Sequence, residues 1–186
     1  NGLASFSVKF RDATDYSSVA SLVNITVNPV NDSPIANKVV FSATEDVALN
    51  LSFSSFKSAI TDIENDTLVN VQVATLPSNG SLTFNGNLLN SGNLPLNVTG
   101  DSIQFLTYQG IQDFNGIDLF RWRAFDGTDF SVLSDSVQLN VAAVNDAPIV
   151  YNFAQSTDED ISVTIFRKDF TDNYTDVDGD TIIHLT

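Results

Sequence analysis

Hydrophobic and polar residues alternate with a period of two along most of this chain. Val71 and Val73 flank a glutamine, and Phe120 and Trp122 flank an arginine. Because successive side chains of a β-strand point to opposite faces of a sheet, this alternation predicts strands that are buried on one face. About seven such strands fall between residues 34 and 147, and they can bury their apolar faces by packing two sheets together. The pattern therefore predicts an all-β fold built as a β-sandwich.

Three further segments show the same alternation and are predicted as strands, at residues 47–53, 82–84 and 103–105. Asn85 and the glycine that follows it mark a hairpin turn, because Asn and Gly accept the positive φ that tight hairpins need. Residues 87–101 contain two glycines and a proline, and we expect a loop or an irregular crossover there.

The two ends of the chain repeat each other. Residues 1–72 align without a gap on residues 115–186, and 22 of the 72 pairs are identical. Asp62 is thus equivalent to Asp176, and the period is 176 − 62 = 114 residues. A period of this length predicts tandem domains, each close in size to an immunoglobulin-like Greek-key sandwich. The expected domains are the C-terminal part of one repeat at 1–33, a complete repeat at 34–147, and the N-terminal part of the next at 148–186.

Two equivalent loops carry carboxylates on alternate residues. Residues 176–180 read Asp-Val-Asp-Gly-Asp, and residues 62–66 read Asp-Ile-Glu-Asn-Asp. A hard cation with a preference for oxygen, such as Ca²⁺, requires this kind of ligand set. In a Greek-key sandwich such a loop lies at the end where the chain enters, so we expect these acids to meet the linker between repeats. Like charges gathered there repel one another unless cations offset them.

We predict Ca²⁺ ligands at two joints, one on each side of the complete repeat. At the first joint the expected ligands are Asn31, Asp32, Glu45, Asp46, Asp62, Glu64, Asp66, Asp126 and Asp129. At the second joint they are Asn145, Asp146, Glu159, Asp160, Asp176, Asp178 and Asp180. The alternative is that acids cap turns and keep the surface soluble, the role that we assign to Asp101, Asp118 and Asp135.

Charge and composition narrow the range of partners. The chain has 8 Lys and Arg against 23 Asp and Glu, a net charge of −15, which argues against nucleic acid and anionic membrane surfaces. There is no Cys for disulfides or thiolate metal sites, and no apolar run long enough for membrane insertion. The chain also lacks Met, and we expect it to be a segment of a longer protein.

Enzymatic activity is not expected from the sequence. His184 is the only histidine, and its equivalent in the complete repeat is Asn70, so that repeat has no imidazole for a catalytic triad or a zinc site. A glycosidase would need two carboxylates in one cleft, whereas the acids here recur at the joints.

Six motifs resemble, in order, the tandem cadherin-like repeats of large bacterial surface proteins and adhesins. They are Thr-Glu-Asp-Val at 44–47, Asp-Ile-Glu-Asn-Asp-Thr-Leu at 62–68, Leu-Pro-Ser-Asn-Gly at 76–80, Asp-Phe-Asn-Gly-Ile-Asp at 113–118, Ala-Phe-Asp-Gly at 124–127 and Val-Asn-Asp-Ala-Pro at 144–148. The resemblance implies a string of extracellular β-sandwiches, stiffened by calcium at the joints, that projects an adhesive end away from a cell. On this interpretation the chain is a structural extender of a secreted or cell-surface adhesin, and its partners are neighbouring repeats.

Two other functions stay open. The first is a calcium-dependent module whose loops around residues 126–130 contact a carbohydrate or protein, for instance on a host cell. The second takes the partial repeats literally and describes a subunit that joins other copies in an extracellular fibre.

Overall fold

The computed structural model describes residues 2–182 and 184, and it confirms that the protein is mostly β-sheet. The strands are β1 (Gly2–Val8), β2 (Ser21–Val27), β3 (Ile35–Ala36), β4 (Val39–Thr44), β5 (Leu49–Asn50), β6 (Ile60–Thr61), β7 (Asn70–Val73), β8 (Gly80–Phe84), β9 (Asn87–Leu88), β10 (Leu96–Thr99), β11 (Leu106–Gly110), β12 (Gly116–Phe125), β13 (Asp135–Ala142), β14 (Ile149–Val150) and β15 (Tyr174–Thr175). The helices are short: α1 (Phe53–Lys57), α2 (Arg167–Thr171) and two 3₁₀ turns at Ser91–Asn93 and Gly100–Phe105. None of the helices described is long and apolar enough to cross a bilayer.

Two large sheets occupy residues 39–142. One has five strands in the order β10-β7-β12-β13-β4, and the other has four in the order β5-β11-β8-β9. Both sheets contribute side chains to one core, with Trp122 and Val71 from the first and Tyr108 and Leu82 from the second. Burial of this apolar surface is the main force that holds the two sheets together.

The predicted alternation is confirmed most clearly in β12. Phe120, Trp122 and Ala124 are buried, whereas Arg121 is exposed. The indole N–H of Trp122 donates a hydrogen bond of 3.1 Å to the carbonyl of Asn37, so this buried ring has no unpaired polar group.

Three of the predicted elements differ from those observed. Within residues 47–53 only β5 is a strand, and the chain then turns into α1, where the Ser52 side chain accepts a hydrogen bond from the Ser55 amide at 3.3 Å. Residues 103–105 belong to a 3₁₀ turn, and the expected loop at 87–101 contains β9 and β10. Strand β10 forms because β7 offers it a paired edge, which a local pattern does not reveal.

Structural elements near the two ends recur at the spacing of the sequence repeat. Gly2 pairs with Val27 in the β1–β2 ladder, and Gly116 pairs with Val141 in the β12–β13 ladder, an offset of 116 − 2 = 114 residues. The β3–β6 pair and α1 recur in the same way as the β14–β15 pair and α2. Asn1, the first residue of the sequence repeat, lies outside the described residues.

The same apolar position has different surroundings in two equivalent strands. Phe120 in β12 is 1% exposed, whereas its equivalent Phe6 in β1 is 51% exposed. The four-stranded sheet covers β12, and among the described residues β1 pairs only with β2.

Candidate cation-binding joints

Three carboxylates meet at the second joint. Asp46 follows β4, Asp113 lies between β11 and β12, and Asp146 follows β13. One carboxylate oxygen from each lies within 4.8 Å of the other two. Asp46 and Asp113 both adopt positive φ, of 58° each, and the Asp113 amide donates a 3.4 Å hydrogen bond to Asp46 Oδ1.

Glu45 adds a buried carboxylate beside this group. Its side chain is 2% exposed, and Oε1 accepts a hydrogen bond from the amide of Val144 in the linker. Its own amide donates to the carbonyl of Ala142 at 3.0 Å. Glu45 therefore joins the end of β4 to the segment that leaves β13.

A fifth carboxylate reaches the second joint from beyond the linker. The amide of Asp146 donates to Asp178 Oδ2 at 2.6 Å. The loop that presents Asp178 is folded around Asp176, whose Oδ1 accepts hydrogen bonds from the amides of Asp178 and Asp180 at 3.1 and 3.0 Å. Gly179, with φ of 79°, allows the backbone to turn there.

The electrostatics of the second joint favour a positive charge. Desolvation, followed by the charges of Asp113, Asp178, Asp46 and Glu45, raises the pKa of the Asp146 carboxyl above its ordinary value. Either a proton or a cation would relieve this repulsion.

The first joint is organised by hydrogen bonds. The Asn31 side-chain amide donates to Asp126 Oδ2 at 3.2 Å and to Asp129 Oδ2 at 3.3 Å. The Asp32 amide donates to Glu64 Oε2 at 3.2 Å, which is the equivalent of the contact between Asp146 and Asp178.

Asp62 holds the acidic loop of the first joint in shape. Its Oδ1 accepts from the amides of Glu64 and Asp66, both at 2.9 Å, as Asp176 does in its own loop. Asp62 Oδ2 is buried and has no hydrogen-bond partner among the residues that the structure describes. A buried carboxylate oxygen of this kind calls for a donor or a cation.

The pKa of Asp126 is shifted in the opposite direction from the pKa of Asp146. Although desolvation opposes the change, hydrogen bonds from the Asp129 and Thr128 amides and from Asn31 lower the pKa of Asp126. The equivalent Asp12 has its pKa lowered by the amides of Asp15 and Thr14, so this loop has the same shape in both places.

Glu45 and Asp46 were expected at the first joint, and the structure places them at the second. Strand β4 runs parallel to β13, so both strands end beside the second linker. The equivalent residues Glu159 and Asp160 are exposed, and within the described residues no hydrogen bond of the second joint involves them. The sequence pattern does not fix the direction in which the chain leaves the first joint, and that direction is set by the pairing of β4 with β13.

Sequence reasoning missed Asp113 as a member of the second joint. Its equivalent would precede Asn1, so the alignment of 1–72 on 115–186 contains no pair that could reveal it. The available signal was its position in the Asp-Phe-Asn-Gly motif immediately before β12.

Asp118 is more than a surface acid. It is 1% exposed and accepts hydrogen bonds from the amides of Ser78, Asn79 and Leu119 and from the Tyr108 hydroxyl, all between 2.9 and 3.0 Å. Burial, and then the charge of Asp118, raises the pKa of Tyr108. Asp118 does cap a turn, as expected, but it does so inside the fold.

Comparisons with known proteins place no family name on the chain. No protein-family model and no curated protein matches it. Among solved structures, a variant of the endo-fucoidan hydrolase MfFcnA4 from glycoside hydrolase family 107 matches with a TM-score of 0.36 and 18% identity, over 80% of this chain and 21% of that one. The enzyme itself matches with a TM-score of 0.32 and 18% identity, over 77% and 19%. The chain thus spans about a fifth of the length of these structures.

The expectation that the chain is not an enzyme is contradicted by these matches, since both are glycoside hydrolases, and it is withdrawn. With TM-scores below 0.5, the likeness assigns no substrate, reaction or catalytic residue to this chain.

Proposed function

We propose that this chain is a segment of a secreted or cell-surface adhesin, built from tandem cadherin-like repeats of about 114 residues, each a Greek-key, immunoglobulin-like β-sandwich. The repeats join at residues 33–34 and 147–148. Ca²⁺ bound at each joint fastens one repeat to the next, so that the array extends and stiffens. The direct partners of the segment are its neighbouring repeats.

The carboxylates of Asp46, Asp113 and Asp146 are the observation that carries this proposal. Their oxygens approach within 4.8 Å although nothing in their sequence positions requires it. Asp178 approaches the same linker from the following repeat. A cation held by these three carboxylates together with Asp178 would bind two repeats at once, which is what a stiffening joint needs.

Ca²⁺ fits the donors better than the alternatives. It accepts about six to eight oxygen ligands in irregular geometry, and the joint offers carboxylate, amide and backbone oxygens. Mg²⁺ demands near-ideal octahedral geometry, and Zn²⁺ prefers nitrogen and sulfur ligands, of which the chain has one histidine and no cysteine.

Calorimetric titration of the chain with Ca²⁺ tests the proposal. We expect binding near neutral pH that is weakened in Asp113→Asn. Asp101→Asn is the matched control, because Asp101 is an exposed aspartate in the 3₁₀ turn at Gly100–Phe105. Absence of binding heat in the unmodified chain would refute calcium as the joint ion.

Small-angle X-ray scattering of the same samples tests the mechanical part. Ca²⁺ should narrow the range of maximum dimensions among the conformers in solution. This narrowing should be smaller in Asp113→Asn than in Asp101→Asn. A scattering profile that Ca²⁺ leaves unchanged, in a chain that binds it, would contradict stiffening while leaving the ion site in place.

A further inference from the structure

In the five-stranded sheet, the strand that comes first along the chain, β4, lies beside the strand that comes last, β13, and the two run in the same direction. β4 and β13 pair from Val39 with Val137 to Thr44 with Ala142. Every other neighbouring pair in the two large sheets, over the residues described, is antiparallel. The parallel pair therefore connects the two ends of the unit: β4 begins on the side of the first joint, and β13 ends on the side of the second.

This arrangement decides how the unit responds to tension. A pull between the joints draws β4 from its N-terminal end and β13 from its C-terminal end, in opposite directions along the strand axes. All hydrogen bonds of the ladder are then strained together. A pair pulled apart from one end would instead lose its hydrogen bonds one after another, each under the full load.

We propose that β4 and β13 form a shear clamp, closed by Glu45, that carries tensile load through residues 34–147. The inference goes beyond the proposed function, and the clamp operates without a bound cation. In an extender, it would keep the repeat folded while the array is stretched.

Glu45 closes the clamp at its second-joint end. Its amide donates to Ala142 O, one step beyond the last pair of the ladder, and its carboxylate accepts from the amide of Val144. Both bonds cross between the strands, so a pull on the linker loads Glu45 before it reaches the ladder. Glu45 is 2% exposed, and a charged hydrogen bond shielded from water is stronger than an exposed one.

The inner face of the clamp is shielded from water as well. Its buried side chains alternate along both strands: Val39, Phe41 and Ala43 in β4, and Val137, Leu139 and Val141 in β13. Water can replace a strained backbone hydrogen bond only where it reaches the ladder. The buried face therefore slows rupture from one side.

Pulling single molecules in two directions tests the clamp. The chain has no cysteine, so paired substitutions can place the handles. Lys38→Cys with Ala147→Cys loads the clamp in shear through the linker, whereas Lys38→Cys with Leu133→Cys attaches both handles at the first-joint end and peels the strands apart. All three positions are exposed, and Leu133 is 78% exposed.

We expect a higher unfolding force in shear than in peeling, measured in chelator so that bound cations play no part. Equal forces, or a higher force in peeling, would overturn the proposal. A failure of calcium binding would leave this result unaffected, so the two proposals can fail separately.

Glu45→Ala tests the closing contact under shear. At a fixed load we expect unfolding to be about tenfold faster, the factor that corresponds to ~1.4 kcal/mol at the barrier. Asp101→Ala, an exposed aspartate outside the clamp, should not change the rate. If Glu45→Ala unfolds no faster than this control, Glu45 is not part of the clamp. If Glu45→Ala does not fold, Glu45→Gln takes its place, because its side chain keeps an acceptor oxygen but loses the charge. Its unfolding rate should exceed that of Asp101→Ala by less than tenfold, and a rate equal to that of Asp101→Ala would remove Glu45 from the clamp.

Discussion

The two joints contain equivalent linkers in different surroundings. At the second joint, Asp146 lies among carboxylates from the preceding repeat, and its pKa is raised. At the first joint, Asn31 donates to the 126–129 loop of the following repeat, and the pKa of Asp126 is lowered. The second linker therefore contacts acids on both sides of it in sequence, Asp46 and Asp113 before it and Asp178 after it. Within the described residues, the first linker contacts only the acidic loops that follow it. The difference teaches that equivalent linkers acquire different charge balances from the segments that surround them.

The largest effect expected from this difference is stabilisation by Ca²⁺. At a free concentration 100-fold above Kd, Ca²⁺ should raise the free energy of unfolding by about 2.7 kcal/mol, because it binds only the folded chain. Scanning calorimetry with Ca²⁺, Mg²⁺ and chelator would measure this. A shift as large with Mg²⁺ as with Ca²⁺ would contradict the assignment of the ion.

Asp146→Asn and Asp32→Asn compare the joints at equivalent linker positions. We expect Asp146→Asn to weaken Ca²⁺ binding about tenfold, or ~1.4 kcal/mol, because it removes one of three converging carboxylates. Asp32→Asn should have a smaller effect, since Asp46 and Asp113 lie at the other joint. Calorimetric titration of both variants decides the matter, and a larger effect of Asp32→Asn would reverse our ranking of the joints.

Asn31→Ala and Asn145→Ala compare the two linker amides. Asn31 bonds two carboxylates of the 126–129 loop, so its loss should lower the free energy of unfolding by about 1 kcal/mol. The Asn145 amide donates to the carbonyl of Asp146, and its loss should matter less. Urea unfolding in chelator measures both, and equal values would show that the contacts of Asn31 with the loop add nothing.

The smallest expected effect is a pH dependence of opposite sign at the two joints. The raised folded pKa of Asp146 means that its contribution to stability is full below its unfolded value of about 3.8 and is lost as pH rises through the folded pKa. The lowered folded pKa of Asp126 gives a contribution that is present above about 3.8 and is lost as pH falls through the folded pKa.

Urea unfolding from pH 3 upward, in chelator, would show these contributions as differences from the parent chain, roughly over the range in which carboxyls titrate. Asp146→Asn should remove the loss of stability on raising the pH, and Asp126→Asn should remove the loss on lowering it. Changes of the same sign in the two variants would contradict the contrast between the joints.

Much of the fold followed from local pattern, and the exceptions have physical reasons. The alternation around Phe120 and Trp122 located β12 and its buried face. The same alternation failed at residues 47–53, because Ser52 caps a helix where the pattern predicted continued strand. It also missed β10, which depends on its pairing with β7.

The residues of the candidate site likewise include some that the sequence could predict and some that only the structure could reveal. Repeated acids at 62–66 and 176–180 could be identified from sequence, because the two loops align without a gap and carry acids at the same three positions. The membership of Asp46 and Asp113 in one cluster could not, because it depends on the parallel direction of β4 and on a loop with no aligned equivalent.

By itself, the sequence determined the β class, the 114-residue spacing and the acidic character of the linkers, because alternation, identity and charge are properties of order along the chain. Only the tertiary structure decided which acids face one another, that Asp118 is buried, and that β4 and β13 run parallel. The physical reason is that strand direction and loop contact are set by packing between segments far apart in sequence, where local preference carries no information.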